Sequence, residues 1–117
     1  MTRVLFLLIA SASTVCARVN FVRDVKPILE DNCVRCHGDE RPMRGIRLDR
    51  KERALMTVVK NKPEDSLLYN VIKIGAMPPG SQKLTPKQLE TVRKWIAEGA
   101  RWPDGVELTG KNPFTAH

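Results

Sequence analysis

Five consecutive residues combine types and spacing that can do chemistry: Cys33, Val34, Arg35, Cys36 and His37 form a C-x-x-C-H pattern. On a helical turn, residues three apart face the same way, so both sulfurs can form thioethers with the two vinyl groups of one haem. The adjacent imidazole can then ligate the iron from the proximal side. The pattern predicts one covalently attached haem c, held by Cys33, Cys36 and His37.

Three other interpretations of the cysteine pair stay open. A thioredoxin-like dithiol follows a strand in a βαβ unit, and no strand pattern precedes Cys33. A zinc site needs four ligands, and the further candidates are His117 and scattered carboxylates. The third interpretation is a chance match on a solvated helix. An export signal, and the lack of a rival use for the thiols, favour haem.

The sixth position of the iron needs its own ligand, and a thioether sulfur there raises the reduction potential. Met77 is the leading candidate because the prolines and glycine at 78–80 would hold its loop stiff and non-helical. The alternative is an ordinary core methionine beside a turn. Met43 follows His37 too closely to reach the opposite haem face, and Met56 lies in an apolar stretch that predicts core.

The first residues of the sequence have the features of a secretory signal peptide. Arg3 supplies a positive start, an apolar run covers 4–12, and small residues lead to a plausible cleavage site after Ala17. We therefore predict a cleaved signal peptide at 1–17 and one domain at 18–117. The alternative is an uncleaved membrane anchor, although the apolar run is shorter than the roughly 20 residues that span a bilayer.

The charge of the chain points to its partners. The formal net charge is +7, and it falls by one to +6 when Arg3 is removed. A positive surface favours acidic partners or nucleic acid. No basic stripe is interleaved with stacking aromatics, and the chain has an export signal, so nucleic acid is disfavoured. Once the signal peptide is removed, no transmembrane helix is predicted.

Two helical stretches lie on either side of the polar loop that begins at His37, and the first leads directly into the cysteine pair. The first has Asp24 as its predicted N-cap and Pro27 in its first turn, and its apolar stripe leads to Cys33. The second runs from about 66 to 73 and ends before Gly75.

The clearest signals belong to a third helix. Thr85 is the predicted N-cap, Pro86 the first helical residue, and Gln88 completes a capping box. Gly99 ends the helix. The tail at 102–117 is predicted to be irregular. No stretch alternates strongly enough to indicate a sheet, so the predicted fold class is all-α.

With these residues assembled, the chain resembles the class I cytochrome c superfamily, and more closely the planctomycete-type cytochrome c domain. The resemblance is carried by FVRDVKPILEDNCVRCHG (21–38), GIRLD (45–49), PEDSLLYNVI (63–72), MPP (77–79) and LTPKQLETVRKWIAEGA (84–100). It implies a bundle of three to four short helices wrapped around the haem, with the first and last helices in contact. It also implies His37 as proximal ligand, Met77 as distal ligand, and the bacterial periplasm. Between Asp49 and Pro63 the chain lacks the glycine-rich loop of its relatives.

These features predict a one-electron carrier rather than an enzyme, since no nucleophile–base set, phosphate loop or paired carboxylates occur in a recognisable context. Expected partners are redox proteins, acidic or membrane-bound components of respiratory or dehydrogenase systems, with the carrier itself a monomer. Two alternatives differ in class. One is a haem-based ligand-binding or sensing module with an open or displaceable sixth site. The other is a haem-free C-x-x-C thiol oxidoreductase.

Overall fold

The computed structural model of the 117-residue chain describes residues 18–34, 37 and 46–110. Within these ranges the secondary structure comprises four helices and no strand, which confirms the all-α prediction. The predicted signal peptide, Cys36, Met43 and His117 lie outside the described residues. The bounds are α1 at 21–34, α2 at Lys51–Ala54, α3 at Leu67–Lys73 and α4 at Pro86–Ala97, with 3₁₀ turns at Leu55–Thr57 and Pro63–Asp65.

Helix α1 is continuous but changes its hydrogen-bonding type along its length. An α-helical turn at Lys26–Leu29 separates two π-type turns, Phe21–Val25 and Glu30–Val34. Wide π-type turns occur often at functional sites in helices. The second wide turn contains Cys33, so it is the element that positions this residue.

The start of α1 differs from the prediction. Asn20 is the N-cap, and its Oδ1 accepts the backbone N–H of Arg23 at 2.9 Å. Asp24 lies inside the first turn, where its carboxylate accepts the backbone N–H of Asn20 at 2.8 Å. The prediction of Asp24 as N-cap was wrong because Asn and Asp are equally good caps, and spacing alone does not say which one begins the helix.

Helix α4 begins and ends as predicted. The Thr85 hydroxyl accepts the backbone N–H of Gln88 at 3.1 Å, and the Gln88 side chain accepts the Thr85 N–H at 2.9 Å. This capping box satisfies two backbone donors that the helix itself leaves without partners. Past the C-terminus, Gly99 adopts φ +106°, a backbone conformation in which a β-carbon is strained. The helix boundaries are therefore encoded locally.

The core lies between α1 and α4. Val25, Leu29, Val92 and Ile96 are completely buried. Across the same interface, the Phe21 ring lies 5.6 Å from that of Trp95, centroid to centroid. Each such side chain contributes about 1.5–3 kcal/mol when it is removed from water. The predicted contact between the first and last helices is thus confirmed.

Residues 101–110, which we call the C-terminal strap, contain no helix but belong to the core. Trp102 and Leu108 are only 3% and 4% exposed. The Trp102 ring stacks on Phe21 with centroids 4.3 Å apart, and its Nε1–H donates to the Val106 carbonyl at 2.7 Å. The prediction of an irregular tail holds for the strap, yet its two apolar side chains are packed as tightly as those of a helix.

The segment between α2 and α3 contains the other wrong prediction. Ala54 is 2% exposed, whereas Met56 is 78% exposed and does not belong to the core. Two residues correspond to a rotation of about 200° around a helical turn, so burial of Ala54 directs Met56 towards solvent. Ser66 is fully buried in the same region. Its hydroxyl accepts the Val59 N–H at 2.9 Å and donates to the Lys62 carbonyl at 2.9 Å.

Candidate haem-attachment site

Cys33 and His37 are brought together at the C-terminal end of α1. Cys33 is 7% exposed, on the apolar face of the helix that also buries Leu29. The backbone N–H of His37 donates to the Cys33 carbonyl at 2.9 Å. One helical hydrogen bond therefore fixes the position of the histidine backbone relative to the buried sulfur. Cys36, the other predicted attachment residue, lies outside the described residues.

His37 is held from its other side as well. Its carbonyl accepts the backbone N–H of Leu48 at 2.6 Å. The imidazole Nδ1 is buried, and no described residue hydrogen-bonds to it. A buried polar atom of this kind needs an explanation, such as a role in a cofactor site. A buried imidazole whose Nδ1 is bound by no described residue fits a histidine that serves as a ligand.

The segment opposite His37 was not singled out by its chemistry in the sequence. Arg47 donates to both carboxylate oxygens of Asp49, at 3.1 Å from Nε and 2.8 Å from Nη2. Burial raises the pKa of the Asp49 carboxyl, but the hydrogen bonds from Arg47 and from its own backbone, together with the charges of Arg47 and Arg50, hold that pKa below its ordinary value. This bidentate pair flanks Leu48 and stiffens the segment that binds the His37 backbone. The alternation of apolar and polar residues at 46–49 was the available signal.

Met77 lies in a separate segment, directly after α3. Its backbone N–H donates to the Val71 carbonyl at 3.0 Å, and the Lys83 ammonium donates to the carbonyl of the following Pro78. The side chain is 38% exposed, and Ile74 nearby in sequence is 76% exposed. The bond to Val71 attaches the loop to α3, the Lys83 contact closes the loop on itself, and Met77 remains partly exposed. That Met77 is the distal ligand stays a prediction.

The residues present fit a covalently attached haem. A buried sulfur, an imidazole with a buried nitrogen that no described residue binds, and accessible apolar side chains are the donor types and surface that such a group requires. Within 18–34, 37 and 46–110, no group of three or more His, Cys, Asp or Glu side chains is arranged to hold a metal ion. Over the same residues no helix has the length and apolarity that crossing a membrane requires.

An all-α chain that carries a C-x-x-C-H pattern at 33–37 is similar in these two respects to c-type cytochrome domains. Comparison with known families agrees: residues 33–81 match the family described as Planctomycete cytochrome C, which confirms the resemblance predicted from the sequence. The matched segment contains His37 and Met77, and its family is one of haem-binding electron carriers. No match to the chain was found among the curated proteins or the solved structures.

Proposed function

We propose that the protein is an exported mono-haem c-type cytochrome that carries one electron at a time. Cys33 and Cys36 would hold the haem, while His37 and Met77 would ligate its iron. The single observation that carries the proposal is the His37 imidazole, whose buried Nδ1 is bound by no described residue although the backbone is fixed on both sides. When bound, the haem supplies an iron that accepts and returns one electron.

The contribution of α1 is to hold the attachment site rigid. Val25 and Leu29 are completely buried against the rest of the core, so the helix has little freedom to shift. The His37 N–H bond to Cys33 then transmits that rigidity to the proximal ligand. A ligand that keeps its position in both oxidation states favours electron transfer over bond-making chemistry.

Met77 would fill the sixth position and exclude other ligands. Its N–H bond to Val71 attaches the loop to α3, and the Lys83 contact to Pro78 closes the loop just after Met77. A sulfur ligand at this place stabilises the reduced iron and raises its potential. The partial exposure of Met77 supports a role outside the core and disfavours the alternative of an ordinary core methionine.

Export to the bacterial periplasm and docking to acidic redox proteins complete the proposal. The signal-peptide pattern at 1–17 supports export, and cytochrome c domains are usually exported. The formal charge of +7 supports association with acidic or membrane-bound partners of respiratory or dehydrogenase systems. We expect the carrier to act as a monomer without nucleic acid.

Visible spectra test the proposal on protein exported from a host with cytochrome c maturation machinery. We expect sharp bands on reduction, haem that survives acid–acetone extraction, and a far-red sulfur–iron band in the oxidised protein. Cys36→Ala should lose one thioether bond, and Met77→Ala should lose the far-red band. Met56→Ala is the matched control, because that methionine is 78% exposed and should leave every band in place.

Each contrary outcome has its own meaning. A colourless product would remove the haem and leave thiol chemistry for the cysteine pair. A coloured wild-type protein that binds carbon monoxide in its reduced form without denaturant would have an open or displaceable sixth site. It would then be a ligand-binding or sensing module instead of a carrier.

A further inference from the structure

The C-terminal strap ends against α1 one turn before Cys33. There the backbone N–H and the hydroxyl of Thr109 both donate to Oε2 of Glu30, at 2.8 and 3.0 Å. The other carboxylate oxygen of Glu30 accepts from the Lys26 ammonium at 3.1 Å. Both oxygens of a side chain that is 18% exposed are thus engaged. Glu30 and Cys33 lie in the same π-type turn, Glu30–Val34.

The preceding residue of the strap is attached to the segment that binds His37. The backbone N–H of Leu108 donates to the Asp49 carbonyl at 2.8 Å, and the Leu108 side chain is 4% exposed. Asp49 follows Leu48, whose N–H donates to the His37 carbonyl at 2.6 Å. Two neighbouring strap residues therefore contact both segments that carry the attachment site, one on each side.

We propose that Glu30 is a positioning residue that ties the strap to the turn of α1 bearing Cys33 and so holds the His37 backbone through Leu108, Asp49 and Leu48. The inference rests on the proposed function and deepens it, because a fixed proximal histidine keeps the ligand geometry the same in both oxidation states. Glu30 acts through Thr109, and it is no ligand itself. Both Glu30 and the strap lie outside the family-matched residues 33–81.

Of three charged contacts of the strap, those with Glu30, Lys51 and Arg50, the Glu30 contact is the best shielded from water. The Lys51–Asp104 pair is 2.6 Å apart, but Asp104 is 97% exposed. Arg50 and Glu107 are 4.0 Å apart, and Glu107 is 69% exposed. Exposed pairs contribute little because water screens them. A largely buried carboxylate that accepts two hydrogen bonds from one residue is stronger, since charge-assisted bonds are about twice as strong as neutral ones.

Amide hydrogen exchange on the native protein tests the proposal in the wild type, Glu30→Ala, Glu30→Gln and the control Glu90→Ala. In Glu30→Ala we expect the Leu48 and Leu108 amides to exchange about tenfold faster, which corresponds to about 1.4 kcal/mol. The buried α4 residue Val92 should change by less than about threefold. In Glu30→Gln these amides should exchange at rates between those of the wild type and Glu30→Ala, since an amide oxygen still accepts from Thr109. It also replaces Glu30→Ala in the comparison if the latter fails to fold.

Two exchange patterns would overturn the proposal. Equal acceleration at Leu48 and Val92 would mean that Glu30 contributes only to overall stability. Fast exchange at Leu108 with Leu48 unchanged would mean that the strap does not hold the His37 segment. Glu90→Ala removes an exposed carboxylate paired with Arg93 on α4, and it should leave both amides at the wild-type rate.

A second readout follows the histidine itself. In the oxidised haem protein, the hyperfine-shifted proton signals of the His37 ring should move in Glu30→Ala and stay in place in Glu90→Ala. Unmoved signals in Glu30→Ala would overturn the positioning role. A wild-type protein that takes up no haem would contradict the proposed function instead, and the exchange comparison of Leu48 and Val92 would still be readable.

Discussion

Phe21 and Trp102 stack with ring centroids 4.3 Å apart, which joins the first residue of α1 to the strap that follows α4. Both rings are less than 5% exposed. The contact closes the domain between its two ends, and it lies on the same helix that delivers Cys33. The strap is therefore a structural part of the same core as α1 and α4.

Trp102→Ala should lower the free energy of unfolding by about 3–5 kcal/mol, the range for removal of a buried large aromatic side chain. The loss includes the stack on Phe21 and the Nε1–H bond to Val106. Trp102→Phe keeps a ring but loses the hydrogen bond, so its free energy of unfolding should lie between those of the wild type and Trp102→Ala. Urea unfolding measures all three proteins. An effect of Trp102→Ala as small as that of Met56→Ala would contradict the role of the strap in the core.

Ser66→Ala should destabilise the protein by about 1–3 kcal/mol, because the Val59 N–H loses the acceptor that the buried Ser66 hydroxyl supplies. The Ser66 hydroxyl also donates to the Lys62 carbonyl, and the residue is completely buried. Thermal unfolding should show a lower midpoint for this variant. Ser81→Ala, at an exposed position, is the matched control and should leave the midpoint unchanged. Equal midpoints for the two variants would contradict this assignment.

Asp24 should contribute stability that disappears in acid. The Arg23 guanidinium, together with the backbone N–H of Asn20, lowers the pKa of Asp24 from 3.8 to about 2. A lowered pKa means that the folded protein binds the proton less readily than the unfolded chain does. The contribution is therefore fully present above about pH 4 and is lost as the pH falls towards 2.

Stability measured between pH 2 and 6 checks this expectation. Asp24→Asn should be less stable than the wild type at pH 6, and the difference should shrink as the pH falls through the Asp24 titration. Asp31→Asn, at an exposed position of the same helix, serves as the control. A difference between wild type and Asp24→Asn that stays constant over this range would show that the carboxylate charge does not stabilise the start of α1.

Much of the fold could be predicted because its signals are local. The Thr85–Gln88 capping box and Gly99 define α4 within a few residues of each terminus. For α1, the sequence analysis named Asp24 as the N-cap, whereas Asn20 caps the helix through hydrogen bonds that spacing alone does not reveal. Met56 was wrongly assigned to the core because an apolar stretch does not show which side of the helical turn each residue occupies. The turn directs Met56 towards solvent.

Some residues of the candidate site could also be predicted from the sequence, whereas others are revealed only by the structure. Cys33, Cys36 and His37 were predicted from their spacing, since attachment of one haem requires those residue types on one helical turn. The Leu48 bond to His37 and the Glu30 bond to Thr109 join residues far apart in the chain. Neither Leu48 nor Glu30 has a residue type that announces such a role, so no sequence pattern could find them.

By itself the sequence predicted the chemistry of the C-x-x-C-H set, and it determined the all-α class, the ends of α4 and the family resemblance. Only the tertiary structure decided what surrounds them, namely that the strap is packed against Phe21 and that Glu30, Leu108 and Leu48 converge on the two segments of the site. The physical reason is range. Caps and helical turns depend on neighbours within a few residues, whereas burial and long-range hydrogen bonds depend on which surfaces meet when the chain folds.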